Sequence, residues 1–257
     1  MAVLDATQRF SSRVESYVRY RPGYPPEIVD LLQRECRLTP DSVIADIASG
    51  TGFLTRIFLA NGNRVFGVEP NSEMRQAGER LLGEYTNFVS VDGTAEATTL
   101  DARSVDFVTA AQAAHWFDRD KARREFVRIL KPAGWCALIW NDRRTDATFL
   151  RAYEQLLLTY GTDYKEVRHV GNDTAISLDS FFAPTTFKTQ IFATRQEFDY
   201  DGLEGRLLSS SYTPQPGHPN YPPMLRELRN IFDAYQQKGL VTLHYDTRVY
   251  YGQLQAR

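Results

Sequence analysis

The 257-residue sequence is poor in cysteine, and it has no apolar run near the roughly 20 residues that cross a bilayer. Its two cysteines, Cys36 and Cys136, are too few for a disulfide framework, and both fall at predicted core positions. The stretch MAVLDATQRFSSR lacks the apolar segment of a signal peptide. We therefore expect a cytoplasmic protein with no membrane partner.

The sequence has no large excess of either sign of charge, since its net charge is −2. The basic segment RDKARREFVRILK, residues 119–131, carries an apolar stripe that predicts a helix packed on a sheet, with its arginines and lysines on the solvated face. We therefore expect no nucleic-acid partner. The histidines show no metal-ligand spacing with one another or with the cysteines, which predicts no metal site. They are His115, His169, His218 and His244.

Apolar strands and amphipathic helices alternate through the first 140 residues. The predicted strands are Val43–Ile47, Val65–Glu69, Asn87–Val91, Val105–Ala110 and Trp135–Trp140. Helices are predicted at Glu27–Cys36, at Phe53–Ala60, around Met74–Leu82 and around Ala122–Leu130, the last ended by Lys131-Pro132. This alternation is typical of an α/β fold with a parallel sheet covered on both faces.

After residue 141 the pattern changes. Strands are predicted at Phe187–Phe198 and Val241–Leu254, and helices at Phe149–Tyr160, Ser177–Phe182, 201–212 and 222–239. Long strands separated by helices predict a sheet completed by an antiparallel edge, with the helices forming a cap.

The stretch DIASGTG, from Asp46 to Gly52, closes the first strand with a glycine turn. At the carboxyl end of such a strand, glycines let a ligand approach the backbone. The dinucleotide pattern G-x-G-x-x-G is not met, because Ala48 replaces its first glycine and Thr55 its third. No Gly-Lys-Ser/Thr follows, which excludes a phosphate-binding P-loop.

Glu69 ends the second strand, 17 residues after Gly52. A carboxylate at this place can accept hydrogen bonds from both hydroxyls of a ribose. The alternative is a glutamate in a solvent-facing loop. The turn and Glu69 together favour an adenosine-containing cofactor.

These segments, with VDGTAE, SVDFVTAAQAAHWF and FVRILKPAGWCALIW, resemble successive motifs of the class I S-adenosylmethionine (SAM)-dependent methyltransferases. Within that superfamily they are most similar to the small-molecule branch that includes the trans-aconitate methyltransferases. The resemblance implies a Rossmann-like sheet of seven strands with the last one antiparallel. It also implies one methyltransferase domain over residues 1–257, with an N-terminal arm (1–26), a SAM-binding core (27–141), a cap with the acceptor pocket (142–240) and a final strand (241–257).

The same resemblance implies a set of cofactor-binding residues. Gly50 and Gly52 would contact the methionine part, Asp46 would orient it, and Glu69 would hold the ribose. Thr94 stands where many members have an aspartate that contacts adenine, so the backbone of Ala95 is expected to serve. The full set is Asp46, Ala48, Gly50, Gly52, Glu69, Pro70, Thr94, Ala95, Gln112, Trp116, Tyr17, Arg21 and Tyr24.

Three segments keep alternative interpretations. His115, in the loop QAAHWF, is either a general base for a hydroxyl acceptor or a lining residue of the pocket. The segment RYRPGYP, from Arg19 to Pro25, either folds over the cofactor, with Arg21 meeting a carboxylate, or is a surface arm. Ser209 to Tyr212 either line an acceptor pocket or form an ordinary polar loop.

The leading hypothesis is a SAM-dependent methyltransferase that acts on an oxygen of a small molecule, a carboxylate or a hydroxyl, and releases S-adenosylhomocysteine (SAH). A sulfonium methyl is already activated, so alignment of the nucleophile contributes most of the catalysis. The alternatives are a non-catalytic SAM- or SAH-binding protein and a nicotinamide-dependent oxidoreductase. The pattern of the cap names no particular acceptor, and the sequence does not fix the oligomeric state.

Overall fold

The computed structural model describes residues 14–165 and 174–255. Its strands are β1 Val43–Ile47, β2 Arg64–Val68, β3 Phe88–Val91, β4 Val105–Ala111, β5 Leu130–Arg143, β6 Lys188–Phe198 and β7 Val241–Gln253. The helices are α1 Val14–Tyr20, α2 Glu27–Cys36, α3 Phe53–Ala60, α4 Ser72–Leu81, α5 Arg119–Ile129, α6 Thr148–Tyr160, α7 Thr174–Phe182, α8 Tyr200–Leu208 and α9 Tyr221–Tyr235.

The strands form one sheet in the order β3-β2-β1-β4-β5-β7-β6. β1 to β5 run parallel, and β7 is antiparallel to both of its neighbours. The α/β class, the seven strands and the antiparallel last strand are thus confirmed. The antiparallel strand is not the edge, however: β7 lies between β5 and β6, and β6 forms the edge.

Alternate residues of the strands serve opposite faces of the sheet, as the two-residue period of a strand requires. On one face Ile44 of β1 packs in a cluster with α2 and α3. On the other face its neighbour Ala45 packs in a cluster with α5 and α7. Both cysteines are buried and free in these clusters, and burial raises the pKa of the Cys36 thiol to about 12.

The cap has a hydrophobic core of its own. Helices α6, α8 and α9 bury apolar side chains against one another and against the first residues of β7, Val241 to Tyr245. The start of β7 therefore belongs both to the sheet and to the cap. This shared strand holds the cap beside the carboxyl ends of the parallel strands.

Strand β5 is longer than the predicted Trp135–Trp140. It begins at Leu130, directly after α5, and continues to Arg143. The pairing with β4 shifts register between Leu130 and Trp135, and Lys131-Pro132 lies inside that shift. A proline is tolerated at such an irregularity because no ladder hydrogen bond is needed from its nitrogen. The predicted start of this strand, at Trp135, was therefore too late.

The basic helix α5 also differs from its prediction in one residue. Arg123 does not lie on the solvated face but is buried, with 5% exposure. Its guanidinium donates to the backbone carbonyls of Phe181, Ala183 and Gln255. It therefore joins α5 to the end of α7 and to the last described residues of the chain.

The turn after β1 has backbone conformations that favour glycine. Ala48, Gly50 and Gly52 all have positive φ, at 54°, 58° and 87°. A left-handed conformation costs an L-residue about 1–2 kcal/mol. A Cβ at Gly52 would also lie 2.5 Å from Cδ1 of the buried Leu82. A glycine is therefore needed at position 52 both because its φ is positive and because Leu82 leaves no room for a Cβ. Ala48 has a side chain and a positive φ, so it carries backbone strain.

We predict opposite effects for two exchanges in this turn. Gly52→Ala should lower the free energy of unfolding by about 2–4 kcal/mol, from backbone strain and overpacking. Ala48→Gly should raise it by about 0.5 kcal/mol, because strain relief slightly exceeds the added entropy of the unfolded chain. Urea unfolding of both variants measures the difference. A loss of stability in Ala48→Gly as large as that in Gly52→Ala would contradict the backbone strain assigned to Ala48.

Candidate active site

A cavity of about 630 Å³ opens at the carboxyl ends of β1, β2, β4 and β5. This is the edge of an open α/β sheet where ligands bind. Its volume falls within the range of about 300–1,000 Å³ for small-molecule sites. The predicted site residues that line it are Tyr17, Arg21, Tyr24, Asp46, Ala48, Gly50, Glu69, Pro70, Thr94, Ala95, Gln112, His115 and Trp116.

Gly52 is the predicted site residue that does not line this cavity. It caps the start of α3, and its Cα faces Leu82 on the far side of the turn. In the described fold Gly52 shapes the turn, and its contact with the methionine part of a cofactor stays a prediction. Thr51, which was not predicted, lines the cavity instead. Its buried hydroxyl has no hydrogen-bond partner among the described residues.

Glu69 ties the glycine turn to the end of β2. Its Oε2 accepts a hydrogen bond from the amide of Gly50, at 2.9 Å, and its Oε1 accepts one from the amide of Asn71, also at 2.9 Å. The side chain of Asn71 in turn caps α4 by accepting from the amide of Met74. Burial raises the pKa of Glu69, although the two amides oppose this shift. Each carboxylate oxygen keeps a lone pair for a further donor from the cavity.

Asp46 lies on β1 at the inner end of the cavity. Its carboxylate accepts hydrogen bonds from the hydroxyls of Thr55, at 2.6 Å, and Thr109, at 3.0 Å. Burial raises its pKa to about 6, with the two hydroxyls and the backbone of Thr55 acting in the opposite direction. The nearby charge of Glu69 raises it further. The inner end of the cavity therefore carries two buried carboxyl groups, and neither forms an ion pair with a described residue.

The loop after β3 contributes Thr94, Ala95 and Glu96 to the cavity wall. The hydroxyl of Thr94 accepts a hydrogen bond from the amide of Ala97, at 3.2 Å, so it closes its own turn. Glu96 accepts from the amide of Asp118, which joins this loop to the start of α5. Glu96 was not predicted, since a single loop glutamate has no distinctive spacing.

The loop after β4 contributes Gln112, His115 and Trp116. Gln112 has a φ of 55°, and its side-chain amide donates to the carbonyl of Asn141 at the end of β5. His115 and Trp116 lie on a short 3-10 turn, Ala114–Trp116, with ring centroids 4.7 Å apart. His115 therefore stands at the cavity wall, where both the base and the lining interpretations remain predictions.

The described part of the N-terminal arm, residues 14–26, contributes Tyr17, Arg21 and Tyr24 to the wall of the cavity. Tyr17 of α1 contacts the ring of Phe53, and the guanidinium of Arg21 lies over the ring of Tyr17, 5.2 Å from its centroid. The arm is held by hydrogen bonds to three elements. Gln196 of β6 donates to the carbonyl of Tyr20, Arg21 donates to the carbonyl of Ser209, and Asn141 donates to the carbonyl of Gly23.

The cap end of the cavity, which we define as Arg143, Glu154, Tyr164, Arg206, Tyr212 and Tyr245, was largely missed by prediction from the sequence. Of these residues only Tyr212 was a candidate. Ser211 beside it also lines the cavity, whereas Ser209 and Ser210 are buried behind it. The missed residues come from β5, α6, α8 and β7 and from the chain after α6, so no local spacing links them.

Neither a metal site nor a membrane span is found in the described part of the chain. In residues 14–165 and 174–255, no three His, Cys, Asp or Glu side chains come together as a metal-ion site. His169 lies outside this range, so its prediction is not addressed. None of the helices in the same ranges has the length and apolar character needed to cross a membrane.

Comparison with known proteins agrees with this fold. Residues 45–138 match the family model described as a methyltransferase domain. A Mycobacterium bovis protein named "uncharacterized methyltransferase" is 37% identical over 165 residues, which cover 64% of this chain and 63% of that protein. The chain thus spans less than two thirds of the length of this curated relative.

Two solved structures share the fold. One, from Anaeromyxobacter dehalogenans and described as a candidate type II methyltransferase, has a TM-score of 0.67 and 20% identity, and the match covers 91% of this chain and 98% of that one. The other is a SAM-dependent methyltransferase from Geobacter sulfurreducens in complex with SAH. It has a TM-score of 0.52 and 14% identity over 98% of this chain and all of that one.

The family match thus assigns a methyltransferase domain to residues 45–138, and the described chain shares its fold with the two solved methyltransferase structures. The narrower resemblance to the trans-aconitate branch stays a prediction.

The buried carboxyl of Asp46 predicts a specific pH dependence of stability. Because its pKa is raised in the fold, the native state binds more protons than the unfolded chain between about pH 4 and pH 6. Stability is therefore lost as pH rises through this range. Asp46→Asn removes the titrating group, so its free energy of unfolding relative to wild type should increase by about 2–3 kcal/mol from pH 4 to pH 7.

Urea unfolding of the ligand-free protein at pH 4, 5, 6 and 7 measures this difference. Asp233→Asn, the same exchange at an exposed position of α9, is the control and should follow wild type at every pH. A constant difference between Asp46→Asn and wild type across the range would contradict the raised pKa.

Proposed function

We propose that this protein binds SAM in the described cavity and transfers its methyl group to an oxygen of a small molecule, either a carboxylate or a hydroxyl. The observation that carries the proposal is the pair of buried carboxyl groups, Asp46 and Glu69, at the ends of adjacent parallel strands beside a turn of positive φ. These residues match the pattern by which the family binds its cofactor.

The groups at the inner end of the cavity fit an adenosine-containing cofactor with a positively charged side chain. Glu69 can accept from two ribose hydroxyls, because each of its oxygens has one backbone donor and a lone pair to spare. The unpartnered hydroxyl of Thr51 and the backbone at Gly50 face the same space. Asp46 supplies negative charge beside them. We propose Tyr17, Tyr24, Pro70, Ala95 and Trp116 as further walls of the cofactor site.

When bound, SAM supplies a methyl group on a positively charged sulfur, ready for direct attack by a nucleophile. The protein then has to align the acceptor and exclude water, which can contribute several kcal/mol to catalysis. The arm supports this role, since its hydrogen bonds to β5, β6 and the end of α8 fix it at the wall of the cavity. His115 is proposed as a wall residue that can take a proton when the acceptor is a hydroxyl.

A small acceptor is supported by the shape of the site. The cavity is bounded by the arm, the sheet and the cap, and it has the volume of a small-molecule site. The described residues that line it include two arginines of the cap and one of the arm but no lysine, which does not favour a nucleic acid. The two buried, free cysteines support a reducing compartment, and we propose the cytoplasm.

Glu69→Ala tests the cofactor site. Loss of two charge-assisted hydrogen bonds should weaken the binding of SAH about 100-fold, or ~2.7 kcal/mol, in isothermal titration calorimetry. Glu79→Ala removes a glutamate from the exposed face of α4 and should leave the affinity within about twofold. Urea unfolding of both variants checks that they fold. Equal affinities of Glu69→Ala and wild type would refute the proposed cofactor geometry.

Methyl transfer is tested with methyl-labelled SAM, the purified protein and fractionated cell extract. We expect label in a small-molecule fraction, because the acceptor has to enter the cavity. Release of volatile methanol by mild alkali would identify a carboxylate acceptor. Alkali-stable label would mean an ether, amine or carbon acceptor, and of these only an ether fits the proposed oxygen acceptor. Label found only in protein or nucleic acid would contradict the small-molecule acceptor. SAH binding without any labelled product would support a non-catalytic binding protein instead.

A further inference from the structure

The cap end of the cavity holds more positive than negative charge. Arg143 from the end of β5 and Arg206 from α8 face it together with Glu154 of α6. Asp142 also lines the cavity, but its carboxylate is paired with Arg248. The first three side chains are about nine-tenths buried or more, since those of Arg143 and Glu154 are each 10% exposed and Arg206 is 5% exposed. A buried charge is costly unless it is paired. We therefore ask whether the described residues satisfy the charge and the hydrogen-bond donors of each guanidinium.

Arg143 is paired but not saturated. Its Nη2 donates to a carboxylate oxygen of Glu154 and, at 3.1 Å, to the hydroxyl of Tyr164. Its Nε is buried and has no hydrogen-bond partner among the described residues. One donor of a charged group is thus left over beside the cavity.

Arg206 has only neutral partners in the part of the chain that the structure describes. Its Nε donates to the hydroxyl of Tyr245, at 3.2 Å, and its Nη1 donates to Oγ of Ser210, at 3.1 Å. None of the described ion pairs involves it. Glu154 balances one of the two guanidinium charges, so Arg143, Arg206 and Glu154 together keep a net charge of about +1.

The response of Tyr212 agrees with this excess of positive charge. Burial alone would raise the pKa of its hydroxyl. The charges of Arg143, Arg206 and Arg21, together with a hydrogen bond to Ser210, outweigh burial, and the pKa of Tyr212 is lowered. Negative charge at the cap end is therefore favoured by its surroundings.

We propose that Arg143 and Arg206 form a subsite that binds a carboxylate group of the methyl acceptor. This proposal rests on the methyltransferase function proposed above. A carboxylate matches the planar donor fork of a guanidinium and supplies the negative charge that the subsite favours. A phosphate monoester, with a charge of about −1.5 to −2, is the competing anion that the experiment below compares with it. The tyrosine rings around the subsite fit an apolar body next to the carboxylate.

The anchored carboxylate is not the group that is methylated. Hydrogen bonds from two guanidinium groups stabilise its negative charge, which makes its oxygens poorer nucleophiles. The acceptor is therefore an acid with a second oxygen function, a hydroxyl or another carboxylate, that reaches the sulfonium methyl. In the transfer that second oxygen forms a bond to the methyl carbon while the carbon–sulfur bond breaks, and the bonding electrons stay on sulfur as the thioether. The proton of a hydroxyl goes to a base or to water.

Benzoate and benzamide probe the subsite, because they have similar shape and differ in charge. Their binding is measured by calorimetry at constant ionic strength, with and without saturating SAH. Benzoate should bind wild type at least 10-fold more tightly than benzamide, since a charge-assisted hydrogen bond contributes more than a neutral one. Arg206→Gln should abolish this preference while SAH affinity stays within about threefold. Arg226→Gln, at an exposed position of α9, should keep the preference.

Three results would overturn the subsite. One is equal binding of benzoate and benzamide to wild type, and another is an unchanged preference in Arg206→Gln. Tighter binding of phenyl phosphate than of benzoate would overturn the choice of carboxylate. If wild type does not bind SAH, the proposed cofactor is refuted instead. The same titrations therefore distinguish a failure of the subsite from a failure of the proposed function.

The labelled product of the extract experiment provides a second readout. It should retain negative charge at pH 7 and bind an anion exchanger, because the anchored carboxylate is not methylated. A labelled product without negative charge would contradict the assignment.

Discussion

The carboxylate of Glu69 is the contact on which the inner end of the cavity depends. This carboxylate accepts a hydrogen bond from the amide of Gly50, in the turn after β1, and another from the amide of Asn71, at the start of α4. These two bonds fix the ends of β1 and β2 and the start of α4 relative to one another. The turn could not take its conformation alone, since three of its residues have positive φ and one of these is an alanine. The same buried carboxylate remains short of donors, so a contact that holds the fold also has lone pairs free for the proposed cofactor.

The cavity is polarised by the elements that build it. Strand ends of the parallel sheet bring Asp46 and Glu69 to one end, and the cap brings Arg143 and Arg206 to the other. The carboxyl groups at one end and the guanidinium groups at the other are buried, and a buried charge without a counter-charge lowers the stability of the fold. The proposed cofactor and acceptor, with charges complementary to the two ends, would offset this loss of stability. On that proposal, ligand binding stabilises the fold, because a ligand that binds the native state alone shifts the folding equilibrium toward it.

Much of the core could be predicted from the sequence because its signals are local. The bounds of α2, β1 and α3 agree with the prediction to the residue, since apolar periodicity and the Asn61-Gly62 helix end are contained in short windows. Glu69 was found by its distance from the glycine turn. The cap end of the site could not be found this way, because Arg143 and Arg206 meet only after β5, β7 and α8 have packed. The inner position of β7 likewise depends on pairing between distant segments.

The length of β5 has a consequence for the chemistry of the cap. Asp142 and Arg143 are consecutive, and they project to opposite sides of the strand. Asp142 pairs with Arg248 at the surface, and Arg143 enters the pocket beside Glu154. A shift of one residue in the pairing of β5 with β7 would exchange these two side chains. A single insertion or deletion between Trp135 and Arg143 would thus remove the Arg143 guanidinium from its place beside Glu154 and make the pocket less positive. The register of an ordinary sheet pairing therefore helps to set the charge of the pocket.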